Sequence, residues 1–248
     1  MIDLILPEPI RTIATEDEMF TDAEHYFAVG RSAMTHILHS MRIANQKSCL
    51  SILDLPSGYG RVLRYLKAKF PDASIMVSDL NQNAVDFCVR TFGVEAGPAD
   101  KDPTKLEINK TFDLIWCGSL LTHLDSSLWS KFIRFFSHHL NVGGILIFTT
   151  HGRLTAKWIH EQIQDYGLAQ ADARILLANF KSTGFGYANL PMNLDYGISV
   201  AAPSWVLAQL ERVPNLNVLS FVEAGWNNHQ DVVSCIRGTH SLHINSAY

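Results

Sequence analysis

The chain has 248 residues, of which 47% are hydrophobic and 18% charged, and its formal net charge is −4 at pH 7. This composition excludes a disordered chain, and the acidic balance argues against a general nucleic-acid partner. The four cysteines are scattered without metal or disulfide spacing, and no apolar run approaches the ~20 residues of a membrane span. We therefore expect one soluble, cytoplasmic domain with no metal site and no membrane contact.

A helical segment is predicted first, over residues 16–45, because apolar side chains recur there at roughly helical spacing. Thr21 or Asp22 could cap this helix, and Gly30 could break it. Tyr26 belongs to its apolar set, and packing in the core would account for that residue.

A strand over residues 49–55 leads into a tight turn that contains one proline and two glycines, and a helix follows over residues 60–70. This order is the first βα unit of a nucleotide-binding sheet. Gly58 and Gly60 have no Cβ atom, so the backbone there can approach a ligand closely. The N–H groups that begin the helix would favour a carboxylate or a phosphate.

A second strand, over residues 74–78, ends at Asp79, which lies ~20 residues after the glycine turn. A carboxylate at this corner can accept hydrogen bonds from two adjacent ribose hydroxyls. We therefore predict that Asp79 binds a ribose and is not a plain surface charge. Asn81 follows as the predicted cap of a helix over residues 82–92.

A short third strand is predicted over residues 94–96, within a weakly patterned stretch over 93–110. The remaining strands are predicted over residues 112–117, 145–150, 217–222 and 232–237. The first two are joined by an amphipathic helix and a Gly143-Gly144 turn, and the last two by a short link that fits an antiparallel pair. The aromatic-rich segment 151–198 is not explained by the sheet. Because ligands bind beyond the carboxyl ends of parallel strands, we expect this segment to cover a substrate.

Together these features resemble the class I (Rossmann-like) S-adenosylmethionine (SAM)-dependent methyltransferases. Asp54, Gly58 and Gly60 match that family's first motif, acidic-x-G-x-G-x-G, and Pro56 stands in place of its first glycine. The Phe-Asp-Leu-Ile sequence at 112–115 is typical of the family's fourth motif. The resemblance implies an α/β fold with a doubly wound, seven-stranded, mostly parallel sheet and an antiparallel last strand. It also implies an N-terminal helical lid and an insertion after strand 5.

The resemblance divides the single domain, 1–248, into a helical lid (1–48), a SAM-binding core (49–150), a substrate cover (151–200) and the C-terminal part of the sheet (201–248). It implies SAM as the cofactor and S-adenosylhomocysteine as its product. The cofactor-binding residues that it implies are Tyr26, Asp54, Pro56, Ser57, Gly58, Gly60, Asp79, Leu80, Asp100, Cys117 and Gly118. Core packing of Tyr26 and a plain polar loop around Asp100 stay open as alternatives.

Methyl transfer from a sulfonium depends mainly on the alignment of nucleophile, carbon and sulfur, and an oxygen or nitrogen nucleophile can also need a base. His123 and His151 lie at loop positions near the expected ligand edge, and the pKa of histidine suits a base near neutral pH. We predict these two as catalytic candidates, and Tyr187, Trp226 and His229 as candidates for binding the acceptor. A small-molecule acceptor is expected: a metabolite, a natural product or a sugar.

Two other functions stay open. An NAD(P)-dependent oxidoreductase or epimerase shares the βα turn and the acidic residue after strand 2, but Leu63 occupies the third small position of its fingerprint. A non-catalytic SAM-binding partner protein is the other alternative, to which Pro56 in the first motif gives weight.

Overall fold

A computed structural model describes residues 5–191 and 193–238, except the side chains of 193–195. The described residues form nine strands: β1 (Ser51–Asp54), β2 (Ser74–Val77), β3 (Glu95–Ala96), β4 (Phe112–Cys117), β5 (Leu140–Thr150), β6 (Phe185–Leu190), β7 (Asn193–Ala201), β8 (Leu216–Trp226) and β9 (Gln230–Arg237). The α-helices are α1 (Ala23–Ile43), α2 (Leu63–Lys69), α3 (Gln82–Phe92), α4 (Ser126–His138), α5 (Arg153–His160), α6 (Gln170–Thr183) and α7 (Pro203–Leu210).

Seven strands form one sheet in the order β3-β2-β1-β4-β5-β9-β8. The pairs β3–β2, β2–β1, β1–β4 and β4–β5 are parallel, and β9 runs antiparallel to both β5 and β8. The predicted seven-stranded, mostly parallel sheet with an antiparallel last strand is therefore confirmed. The strand order reverses between β1 and β4, and such a switch point opens a crevice at the carboxyl ends of the two strands.

The core lies on both faces of this sheet. Along β1, Ile52 packs into one hydrophobic cluster with side chains of α1, α2 and α3, whereas its neighbour Leu53 packs into another with side chains of α4 and α7. Successive strand residues point to opposite faces, so the central strands carry apolar side chains on both sides. This two-sided burial explains their near-continuous hydrophobic sequence.

Helix α1 begins later than predicted and passes through the expected break. Asp22 is its cap, because its carboxylate accepts the His25 N–H at 2.8 Å. Gly30 lies inside the helix, so the prediction that it could break the helix is wrong. A Cβ atom on Gly30 would lie 2.5 Å from the Arg61 carbonyl oxygen. The glycine therefore allows α1 to approach the turn that follows β1.

The predicted insertion contains α5, α6 and a hairpin of β6 and β7 that forms its own two-stranded sheet. The sequence predicted the segment but not this hairpin. The Gly143-Gly144 pair does not end the preceding helix, which stops at His138, and it lies instead within an irregular start of β5. Residues 239–248 of the predicted C-terminal part lie outside the described residues. None of the described helices has the length and hydrophobicity of a membrane span.

Candidate functional site

A cavity of about 840 Å³ opens at the carboxyl ends of the parallel strands, where α/β sheets bind their ligands. Its lining comes from the ends of β1, β2 and β4, from the start of α4 and from the β6–β7 hairpin. Six predicted site residues lie on this lining: Pro56, Asp79, Leu80, Asp100, His123 and Tyr187. No metal-binding cluster of histidine, cysteine, aspartate or glutamate occurs in the part of the chain that the structure describes.

Asp79 joins the end of β2 to the glycine turn. One carboxylate oxygen accepts the Gly58 N–H at 2.8 Å, and the other accepts the Asn81 N–H at 2.9 Å. A carboxylate oxygen has more than one acceptor site, so both oxygens can still accept a ligand hydroxyl. Gly58 has φ +51° and Gly60 has φ +80°, a backbone region that favours glycine. A Cβ atom on Gly60 would lie 2.7 Å from the Phe92 ring.

Asp54 is a buried carboxylate at the end of β1, and neither of its oxygens has a hydrogen-bond partner among the described residues. Burial, and then the nearby charge of Asp79, raise the pKa of Asp54 well above its usual range. An unpaired buried carboxylate is costly, and a cation bound nearby would offset that cost. Asp54 therefore fits a cofactor that carries sulfonium and ammonium groups.

The end of β4 is held by a hydrogen-bond network that the sequence did not indicate. Ser119 has φ +64°, which is unusual for a non-glycine residue. Its N–H donates to Thr149 Oγ1 at 2.7 Å, and its hydroxyl accepts from Gln230 Nε2 at 3.0 Å. Thr149 Oγ1 in turn donates to Gln230 Oε1 at 2.6 Å. The network fixes the start of the loop that contains His123, a residue of the cavity lining.

His123 presents a neutral imidazole to the cavity. Its Nδ1 lies 2.9 Å from the Gly197 carbonyl oxygen. Because a carbonyl can only accept, Nδ1 carries the proton and Nε2 keeps its lone pair. Burial lowers the pKa of His123 below its usual value, although the Gly197 contact raises it. The Tyr196 ring stacks on the imidazole with a centroid distance of 4.2 Å and an interplanar angle of 18°.

His151 and His229 lie behind the cavity wall and are not among its lining residues. His151 is 3% exposed, and burial, followed by the nearby His229 and His123, lowers its pKa to about 3. The His229 ring stacks on Trp158 at 5.1 Å, and its Nε2 lies 2.7 Å from the Tyr166 hydroxyl. Both histidines are thus neutral components of an aromatic cluster adjacent to His123.

The structure places two predicted aromatic residues in the core and away from the cavity. Tyr26 is fully buried and donates its hydroxyl to Asp17 at 2.6 Å. Trp226 is also buried, and its Nε1 donates to the Val29 carbonyl at 3.0 Å. These contacts favour a core-packing role for both residues.

Six other predicted cofactor residues are not among the lining residues: Asp54, Ser57, Gly58, Gly60, Cys117 and Gly118. Burial, followed by the charge of Asp54, raises the pKa of the Cys117 thiol well above its usual range. Sequence reasoning missed several lining residues, among them Ser119, Asp125, Asn189 and Tyr196. The only signal for Tyr196 was its place in the aromatic-rich insertion.

Comparisons with known proteins agree with this geometry. Residues 52–144 match the family described as "Methyltransferase domain". A malonyl-[acyl-carrier protein] O-methyltransferase from Bacillus anthracis is 28% identical over 141 residues, which cover 56% of this chain and 52% of that protein. The chain thus matches about half the length of this curated relative.

Solved structures show the same fold across most of the chain. A SAM-dependent methyltransferase from Clostridium acetobutylicum matches with a TM-score of 0.56 and 17% identity, over 88% of this chain and 93% of that one. The N-methyltransferase NodS from Bradyrhizobium japonicum, solved with S-adenosylhomocysteine, matches with a TM-score of 0.55 and 14% identity, over 90% of this chain and 93% of that one. The match over residues 52–144 supports a class I, Rossmann-like SAM-dependent methyltransferase, and the solved structures share its fold.

Proposed function

We propose that this protein transfers the methyl group of SAM to an oxygen or nitrogen atom of a small-molecule acceptor. The observation that carries the proposal is that one cavity joins Asp79, the corner suited to a ribose, to the neutral imidazole of His123. A cofactor held at the first residue would therefore share one cavity with an acceptor held at the second.

The cofactor half of the site would be formed by the glycine turn and the ends of β1 and β2. Asp79 would accept the two ribose hydroxyls, and Asp100 and Leu80 would lie beside the adenine. Asp54 would supply the negative charge nearest the cationic end of SAM, since its unpaired carboxylate adjoins the turn. When bound, SAM supplies a methyl group already activated on sulfur.

The acceptor half would be formed by His123, Tyr187 and the hairpin. His123 Nε2 would take the proton of the nucleophile, a role for which its fixed tautomer and lowered pKa suit it. His151 is too buried to contact an acceptor, so we assign it a positioning role behind His123. The contribution of this chain is to orient the acceptor, to exclude water and to hold one proton.

Calorimetric titration with SAM, S-adenosylhomocysteine and NAD in parallel tests the proposal. Micromolar binding of the two sulfur ligands, with none for NAD, is the expected result. Binding of NAD alone would favour the oxidoreductase alternative. The non-catalytic alternative would be favoured by SAM binding without transfer of a tritiated methyl group to any compound of a broad panel of alcohols, phenols and amines.

A further inference from the structure

We propose that the acceptor is an uncharged aromatic hydroxyl compound, a phenol, and that the cavity rejects carboxylates. This inference rests on the proposed function and names its substrate class. It follows from three separate observations: the charge of the lining, the shape of the hairpin wall and the protonation state of His123.

The lining is acidic. Among the described residues that line the cavity, the aspartates are Asp79, Asp100, Asp102 and Asp125, and Lys101 is the single lysine or arginine. Hydrogen bonds from Thr104, and then from Lys131, lower the pKa of Asp102 to about 2. Lys131 offsets the charge of Asp102, to which it is bound at 3.1 Å. The other three aspartates outnumber the positive charge of Lys101 and the single net positive charge that SAM brings, so the filled site remains acidic. A cleft lined by one sign of charge repels ligands of that sign.

Asp125 keeps its charge at neutral pH. Burial alone would raise the pKa of Asp125, but hydrogen bonds from Ser127 and Leu128 lower it overall. Its Oδ1 accepts both backbone N–H groups, at 2.7 and 3.1 Å, as the cap of α4. Because asparagine caps helices about as well as aspartate, this charge can be removed without removing the cap.

The hairpin wall suits a flat ring. Tyr196 lies parallel to His123 and remains 41% exposed. The Tyr187 ring packs against Gly197, because a Cβ atom on that glycine would lie 2.6 Å from the ring. The Tyr187 hydroxyl donates to Asn189 Oδ1 at 2.7 Å. The lining also includes apolar side chains of α4, such as Phe132. A lining that combines aromatic rings with apolar groups favours a planar apolar ligand.

The protonation state of His123 separates a phenol from a carboxylate. A phenol must lose its proton as its oxygen attacks, whereas a carboxylate is already ionised and needs no base. In the proposed step the hydroxyl proton moves to His123 Nε2 and a new O–CH₃ bond forms. The S–CH₃ bond breaks, and its electron pair remains on sulfur to give S-adenosylhomocysteine.

A phenol acceptor would distinguish this protein from its curated relative. The name of that protein specifies a malonyl group, and a malonyl group carries a free carboxylate. A lining in which four aspartates outnumber one lysine, Lys101, is unsuited to such a group, since buried anions require a paired cation. We therefore expect the two proteins to differ in acceptor although they share a domain.

A matched pair of probes tests the inference: 4-methylphenol and 4-methylbenzoate, each titrated at low salt into the protein with S-adenosylhomocysteine bound. The phenol should bind at least ~10-fold more tightly than the benzoate. Asp125→Asn should tighten 4-methylbenzoate binding and leave 4-methylphenol unchanged. Asp22→Asn is the control, because Asp22 caps α1 in the same way and does not line the cavity.

Transfer from tritiated-methyl SAM completes the test. Label should reach 4-methylphenol, and His123→Gln should slow this transfer by ~100-fold or more while affinity for S-adenosylhomocysteine is retained. Equal binding of the two probes would overturn the inference, as would preferred transfer to 4-methylbenzoate or 4-methylaniline, or transfer to none of the three. Failure to bind S-adenosylhomocysteine would instead refute the proposed function itself.

Discussion

Replacing Asp79 tests the assignment of the cofactor corner without knowledge of the acceptor. In Asp79→Ala, both oxygens that would accept the ribose hydroxyls are lost. In Asp79→Asn, one carbonyl oxygen remains and the other position becomes a donor. The two variants should therefore form a graded series, with the alanine variant binding SAM more weakly than the asparagine variant.

The magnitude follows from the contacts in the structure. Each carboxylate oxygen already accepts one backbone N–H, at 2.8 and 2.9 Å, and would accept one ribose hydroxyl in addition. A hydrogen bond to a charged group contributes ~1.5–3 kcal/mol. Because Asp79 is partly exposed, we take the lower end, about 3 kcal/mol for both bonds, which corresponds to ~100-fold in Kd for the alanine variant. The asparagine variant should lose ~10-fold.

The assay is calorimetry with S-adenosylhomocysteine, accompanied by thermal unfolding of the ligand-free protein. Loss of the contact to Gly58 should itself lower stability by ~1–2 kcal/mol, so folding must be verified at the titration temperature. Asp102→Asn is the matched control, because it removes a charge from the same cavity at a carboxylate bound to Thr104 and Lys131. The Kd of the Asp102→Asn variant for S-adenosylhomocysteine should stay within about threefold of the Kd of the unsubstituted protein. A folded Asp79→Ala variant with unchanged Kd would refute the assignment.

Three further substitutions test other parts of the site. Gly197→Ala would place a Cβ atom 2.6 Å from the Tyr187 ring; we expect a loss of ~1–3 kcal/mol in urea unfolding, and unchanged stability would contradict this packing. Gly58→Ala meets no protein atom within 4 Å but retains φ +51°, so it should lose only ~1–2 kcal/mol of stability while S-adenosylhomocysteine binding weakens; parental affinity would place the turn away from the cofactor. Burial raises the pKa of Asp54 in the folded protein. The contribution of its protonated carboxyl group to stability is therefore complete at pH values below the pKa of Asp54 in the unfolded chain, and it is lost as pH rises through the pKa of Asp54 in the folded protein. Asp54→Asn should abolish this decline in ligand-free melting temperature, and an identical pH profile would show that Asp54 does not cause it.

The sheet and the glycine turn after β1 could be predicted from sequence because their signals are local. The turn after β1 contains its own glycines, and Asn81 accepts the Ala84 N–H as the predicted cap of α3. Strand assignments followed from short apolar runs separated by helical patterns. Even here the sequence did not indicate which residues pack against each other. Gly30 resembled a helix break, whereas it allows the close approach of α1 to the turn after β1.

His123 and Tyr187 were predicted as candidates, but the way the hairpin meets the cavity was not, because it depends on contacts between distant segments. His123 and Gly197 are 74 positions apart, and no sequence pattern specifies that contact. Tyr26 and Trp226 were predicted as binding residues, whereas their contacts favour core packing. An aromatic residue with one polar atom satisfies a buried position as well as a binding wall, so residue type alone did not distinguish the core from the cavity.

The two halves of the cavity are joined to the core in different ways, and this bears on how acceptor choice is determined. The cofactor half belongs to the central sheet, whereas the hairpin forms a separate two-stranded sheet. Its links to the core include the bond from His123 to Gly197, the Ser199 hydroxyl to the Leu121 carbonyl at 2.7 Å, and the Ala201 N–H to the His151 carbonyl at 2.8 Å. Two of these links fix the segment that carries His123. On the proposed function, the hairpin therefore positions the base and forms the acceptor wall at once, so a change in its sequence would alter acceptor choice while the cofactor corner at Asp79 stays intact.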